Sequence, residues 1–197
     1  MGQSRSGRPQ DAFGKRARKE GYPARSVYKL EEIDRRVRLF RQGLRVLDLG
    51  AFPGSWLLYA AERVGGNGYV LGLDIQEHRA ALPKNAEFRH ADIYEVSPDS
   101  LGGAQSYDVV MSDMAPNTTG HRNLDQLRSF ELYMRALEIA DTMAKPGGSF
   151  VGKIFQSGDF PKAKAATQKL FEKVRIIKPE ATRSESFECF LVGLGRR

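Results

Sequence analysis

The chain of 197 residues has one cysteine, one tryptophan and three histidines. A lone Cys189 rules out an internal disulfide, and no Cys/His group has the spacing of zinc ligands. His78, His90 and His121 share neither a helical i,i+4 relation nor a loop, so no metal site is expected. Purely apolar stretches run for only a few residues, far below the roughly 20 needed to cross a bilayer. The basic, polar N-terminus also lacks the apolar core of a signal peptide. Secretion and membrane insertion are therefore not expected, and a reducing cytoplasm is. Cys189 has no basic activator beside it in sequence and reads as a small buried residue. No Ser/His nucleophile motif and no internal repeat is present.

What is present is enough apolar content, 41%, to bury one sizeable core, and a charge that is unevenly placed. Of 31 Lys/Arg, 13 lie in the first 45 residues against five Asp/Glu, so the formal net charge of +7 belongs to the leading segment. Concentrated positive potential of this kind suits the phosphates of a nucleic acid; a solvated basic tail is the alternative. Two regions follow. Residues 1–21 form a basic, partly flexible segment with a short helix over 11–20, and residues 22–197 form a single domain.

Within that domain, Val27, Leu30, Ile33 and Val37 recur at helical spacing, predicting an amphipathic helix over 25–38. Short apolar runs then alternate with helical segments. Strands are expected at 45–49, 69–74, 87–90, 107–112, 149–154, 174–178 and 187–194, with helices at 55–64, 124–144 and 162–174. Such alternation indicates an α/β fold with a mostly parallel sheet covered on both faces. The last connection is too short for a helical crossover, so the final strand is expected to return antiparallel.

The first strand ends in Asp48-Leu49-Gly50 and leads through Pro53-Gly54-Ser55-Trp56 into an apolar helix. Glycines allow close approach of backbone to a ligand, and a helix N-terminus offers free N–H donors at the sheet's carboxyl edge. A cofactor site belongs there. Gly50 and Gly54 are four residues apart with Pro53 between them, which is not the GxGxxG of a nicotinamide site. The next two strands end at Asp74 and Asp92, where carboxylates can take the hydroxyls of a ribose and the amine of an adenine. Each acid alone reads equally well as a cap or turn former. The ordered series Asp48, Gly50, Gly54, Asp74, Asp92 points to S-adenosyl-L-methionine.

Further on, the fourth strand runs into Ser112-Asp113-Met114-Ala115-Pro116, the fifth carries Gly152-Lys153-Ile154-Phe155, and the last opens with Phe187-Glu188. With Ser26-Val27-Tyr28-Lys29 upstream, these motifs resemble the FtsJ-like (RrmJ-type) ribose 2′-O-methyltransferases from residue 22 to the C-terminus. The resemblance implies a Rossmann-like class I methyltransferase fold, S-adenosyl-L-methionine as donor and RNA as acceptor. Carried over by motif, Lys29, Asp113, Lys153 and Glu188 form the catalytic tetrad with Lys153 central, and Gly54, Trp56, Asp74, Asp92 and Asp113 contact the cofactor. For Trp56 the alternative is packing of its own helix. Short single-domain members of this kind imply a uridine of large-subunit (23S) ribosomal RNA as target; for the oligomeric state, on which the sequence is silent, a monomer is the default. A transfer RNA methyltransferase, an inactive RNA-binding assembly factor and a nicotinamide oxidoreductase are the competing readings. Residues 117–123 are expected to form a substrate-facing loop, and the basic residues of 5–19 and 35–45 to guide the RNA backbone.

Overall fold

A computed structural model describes residues 9–116, 119–182 and 186–197, with side chains from residue 12 onward. Two helices lead: α1 (Pro9–Lys19) and α2 (Val27–Val37). Then come β1 (Arg45–Leu49), α3 (Ser55–Val64), β2 (Tyr69–Asp74), β3 (Ala86–His90), β4 (Tyr107–Ser112), α4 (Arg122–Met143), β5 (Ala144–Phe155), α5 (Phe160–Leu170), β6 (Phe171–Ile177) and β7 (Glu188–Arg196). The strands form one seven-stranded sheet in the order β3-β2-β1-β4-β5-β7-β6. Strands β1 to β5 pair in parallel, and β7 lies antiparallel between β5 and β6, as the short final connection predicts.

Both faces are covered, which is why the central strands are almost wholly buried rather than alternating. One face packs Val46, Met111, Val151 and Phe190 against Leu30 and Ile33 of α2 and Leu57 and Ala60 of α3. The opposite face packs Leu47, Val110, Phe150 and Leu191 against Tyr133, Leu137 and Ala140 of α4 and Ala163 of α5. Cys189 sits fully buried on that second face, and burial pushes its thiol up to about 11, in keeping with an inert core residue. None of the described helices is long and apolar enough to cross a membrane.

Some boundaries differ from the sequence reading. The helix expected to reach residue 174 stops at Leu170, because Phe171 drops into the core and opens β6. Strand β5 begins at Ala144, where Tyr107 pairs with Ala144 but Val109 pairs with Ser149, so the Lys145-Pro146-Gly147-Gly148 stretch is accommodated as an irregularity. The short helix expected over 11–20 is present as α1. Ala17 of α1 is 1% exposed among Val27, Tyr28 and Ala181, and Phe13 meets the Tyr28 ring at 5.6 Å, so α1 is packed onto the body.

Asp34 ties α2 to α3. Its buried carboxylate accepts hydrogen bonds from the Phe40 N–H at 3.0 Å, the Tyr59 hydroxyl at 3.0 Å and Arg63 Nε at 3.1 Å. A charge at 4% exposure is tolerable only with donors of this number and strength. The segment before α2 is fixed to the start of α3 as well: the Ala24 N–H donates to Ser55 Oγ at 2.7 Å and Trp56 Nε1 donates to the Ser26 carbonyl at 2.9 Å. Lys29 is one turn further along α2.

Candidate active site

The parallel strands all end at one edge of the sheet, and the predicted site residues gather there. Ser112 and Gly152 are register partners, so the residues that follow them, Asp113 and Lys153, come side by side. Lys153 Nζ lies 3.0 Å from Asp113 Oδ1 and also donates to the Asp113 carbonyl. The lysine side chain is only 6% exposed. Across β5 and β7, Lys153 opposes Phe190 and Phe155 opposes Glu188, which places Lys153 and Glu188 on the same face. From α2, Lys29 Nζ reaches Glu188 Oε1 at 2.5 Å and lies 5.9 Å from the centre of the Phe190 ring. Four residues distant in sequence thus form two adjacent, nearly buried ion pairs. Burial this deep requires such pairing, since an ammonium or carboxylate removed from water without a counter-charge is costly.

Beside the pairs opens a cavity of about 370 Å³ lined by Gly50, Asp74, Asp92, Asp113, Met114 and Leu132 among others. Its floor is built by backbone. The Gly50 and Ala51 N–H groups both donate to the Leu73 carbonyl at 2.9 Å. Gly50 has φ +77°, and a Cβ there would lie 2.3 Å from Met114 Cγ, so both the turn and the wall of the cavity require glycine. Asp74 accepts the Phe52 N–H at 3.0 Å and the Gln76 N–H at 2.8 Å, and Asp92 accepts the Tyr94 N–H at 2.9 Å. Each carboxylate is held in place by backbone while facing the cavity, so the cap reading and the ligand reading of these acids are compatible.

Asp48 is different. It is 1% exposed, and neither carboxylate oxygen has a hydrogen-bond partner among the described residues. Burial pushes its pKa well above the usual carboxylate range, and the charges of Asp113 and Asp74 push it the same way. Burial and the two neighbouring charges thus favour the neutral form of this acid, and a donor or a positive charge beside it would favour the charged one.

Two of the expected residues lie away from the cavity. Trp56 does not line the cavity: its ring is 3% exposed, lies 5.6 Å from the Phe190 ring, and spends its N–H on Ser26. It packs α3 against the sheet and fixes the entry to α2, thereby placing Lys29. Arg45 does not face the site either. It opens β1 at the opposite edge of the sheet, where its guanidinium lies over the Tyr69 ring at 4.8 Å and Nε donates to the Ser106 carbonyl at 3.2 Å. Gly54 caps α3 with φ +106° but is not among the residues lining the cavity. Asn117 and Thr118 of the expected substrate loop, and Arg5 and Arg8 of the basic tail, lie outside the described residues. Where the loop resumes, the Thr119 N–H and hydroxyl both donate to Asp125 Oδ1, at 2.8 and 3.0 Å.

Sequence reasoning also missed a support. Arg135 on α4 donates to the Ile93 carbonyl from Nε at 3.0 Å and Nη2 at 2.8 Å, fixing the loop that carries Asp92. No local signal marks a residue that acts on a loop 42 positions away.

The FtsJ-like methyltransferase family matches residues 22–196. The chain belongs to this family. Among curated relatives, the ribosomal RNA large subunit methyltransferase E of Sorangium cellulosum is 54% identical over 95% of this chain and 88% of its own length. The protein of the same name from Bdellovibrio bacteriovorus is 46% identical over 96% and 98%. A solved ribosomal RNA methyltransferase from Plasmodium falciparum superposes with a TM-score of 0.78 over 89% of this chain and 98% of its own; at 23% identity it speaks for the fold. An FtsJ-like methyltransferase needs a methyl donor, and a glycine-floored cavity bordered by Asp74, Asp92 and Asp113 is chemically suited to a nucleoside bearing a cationic tail.

Proposed function

We propose that this FtsJ-like methyltransferase transfers a methyl group from S-adenosyl-L-methionine to a ribose 2′-hydroxyl of structured RNA, a uridine of large-subunit (23S) ribosomal RNA. The carrying observation is the Lys153–Asp113 pair next to the cavity, with Lys29–Glu188 beside it. The family and the named relatives support the reading.

Bound in the cavity, adenosylmethionine supplies a methyl group activated by a sulfonium leaving group. Asp74 is placed to take ribose hydroxyls of the donor, Asp92 an adenine amine, and Gly50 lets the chain pass close beneath. A ribose hydroxyl is a weak nucleophile near neutral pH and must lose its proton as its oxygen bonds to carbon. Lys153 Nζ donates to the Asp113 carbonyl and pairs with its carboxylate as a counter-charge, which leaves the amine free to meet the hydroxyl. Lys153 either accepts the proton or steers a lone pair of the oxygen toward the methyl carbon. Lys29, anchored by Glu188, presents a second amine to the acceptor. Because all four side chains are fixed before substrate arrives, alignment costs little at the moment of reaction.

Exposed Arg18 and Lys19 of α1 and Arg38 and Arg41 after α2 supply positive potential for the RNA backbone. To test the substrate, methyl-labelled adenosylmethionine is offered with undermethylated large ribosomal subunits, naked ribosomal RNA and transfer RNA. Label in the ribosomal substrates and none in transfer RNA is expected. Label in transfer RNA alone would overturn the substrate assignment, and cofactor binding without transfer to any RNA would favour a non-catalytic assembly factor.

A further inference from the structure

Phe187 stands immediately before Glu188 and is 50% exposed, although phenylalanine gains most by burial. It belongs to none of the packed apolar clusters of the described residues. By strand alternation from Glu188 and Phe190, it points to the α4 side of the sheet edge. There the Arg122 guanidinium, at the first residue of α4, lies 4.1 Å from the centre of its ring. Among the described residues Arg122 makes no ion pair, so its charge is not neutralised by a neighbouring carboxylate.

The backbone on either side of the ring is also held in place. The Phe187 carbonyl accepts the Gln156 N–H at 2.8 Å, and Gln126 Nε2 of α4 donates to the Gln156 carbonyl at 3.2 Å. On the other side, the Ser186 carbonyl accepts Lys178 Nζ at 3.2 Å and Ser186 Oγ accepts the Glu188 N–H at 3.2 Å. The result is an aromatic face backed by a cation, at the same edge of the sheet as the site and one residue from the tetrad. Water gains nothing from such a face. An unpaired nucleobase does, because every base has a π surface that stacks on phenylalanine and on a guanidinium plane.

We propose that Phe187 and Arg122 form a stacking platform for an unpaired nucleobase of the RNA, at or next to the nucleotide whose ribose meets Lys153. The proposal rests on the reading of the site as an RNA ribose methyltransferase. It implies that the acceptor segment is unstacked locally when it docks, even though the surrounding RNA is folded. Recognition through stacking tolerates any base, so the platform fixes position and leaves base identity to other contacts.

The test compares wild type with F187A, F187L and F187Y, first by equilibrium binding to undermethylated large ribosomal subunits and then by steady-state methylation of them. Leucine keeps apolar bulk and lacks the π face; tyrosine keeps the face. Binding is expected to weaken about tenfold in both F187A and F187L and to be restored in F187Y, with KM following binding and kcat retained. Equal binding by F187L and F187Y, or unchanged binding by F187A, would overturn the platform. Failure of the wild type to methylate any RNA would reject the underlying reaction, while the binding series would still decide the platform.

Discussion

Lys153 and Asp113 meet at 3.0 Å because Ser112 and Gly152, the residues before them, are register partners in the parallel pair of β4 and β5. The pair is thus a product of sheet register, and a slip of one residue in either strand would turn that strand's side chain to the other face and part the two. Removing the amine should leave the fold and the cavity intact and stop the chemistry. For K153A we expect kcat to fall by about 10²–10⁴-fold or more with adenosylmethionine affinity retained. Arginine should not rescue, since its planar guanidinium neither fits the carboxylate-and-carbonyl seat nor gives up a proton. Single-turnover methylation alongside cofactor titration checks both halves.

Trp56 provides the reverse case. Its indole packs on Phe190 and bonds to Ser26, so W56F should lower stability by about 1–3 kcal/mol through a lost hydrogen bond and an underfilled core, with little change in cofactor affinity. Thermal melts and calorimetric cofactor binding on one preparation separate the two. A large loss of affinity without loss of stability would restore Trp56 to the cofactor's surroundings.

Asp48 predicts a pH dependence of the cofactor-free protein. Its native pKa is raised by burial and by the charges of Asp113 and Asp74. Folding therefore favours the protonated acid: this contribution to stability is complete below the unfolded value of about 3.9 and is lost as pH rises through the raised native value. D48N cannot ionise and escapes that loss. Its Tm should match wild type in acid and exceed it increasingly as pH climbs toward neutrality; parallel curves would show that Asp48 is not the titrating group.

Gly50 carries both the left-handed turn and the cavity wall against Met114. In G50A the positive φ alone costs about 1–2 kcal/mol, and Met114 must move to admit the Cβ. Cofactor affinity should fall about tenfold or more, an energy loss of about 1.4 kcal/mol per decade. Isothermal titration with adenosylmethionine reads this directly.

Much of this was legible before any coordinates. Asp48, Asp74, Asp92, Asp113 and Lys153 all sit at or just beyond strand ends, and parallel strands deliver such residues to one edge whatever the loops do. Other features depended on contacts between residues far apart in the chain. Periodicity carried α5 four residues too far, since nothing local says that Phe171 faces the core. The motif naming Trp56 could not say which way the indole turns; that is settled by Ser26 and Phe190. Arg45 read as one more cation in a basic stretch, although the strand it opens carries it away from the site. The Phe187–Arg122 contact joins residues 65 positions apart, and neither has a sequence pattern to announce it.

The most direct measurement is nucleoside analysis of undermethylated large ribosomal subunits after reaction with this protein and methyl-labelled adenosylmethionine. The arrangement of Lys153, Asp113, Lys29 and Glu188 predicts label on a ribose 2′-oxygen, in a single 2′-O-methylated nucleoside, and none with K153A. Label on a base, or ribose label that survives K153A, would contradict it.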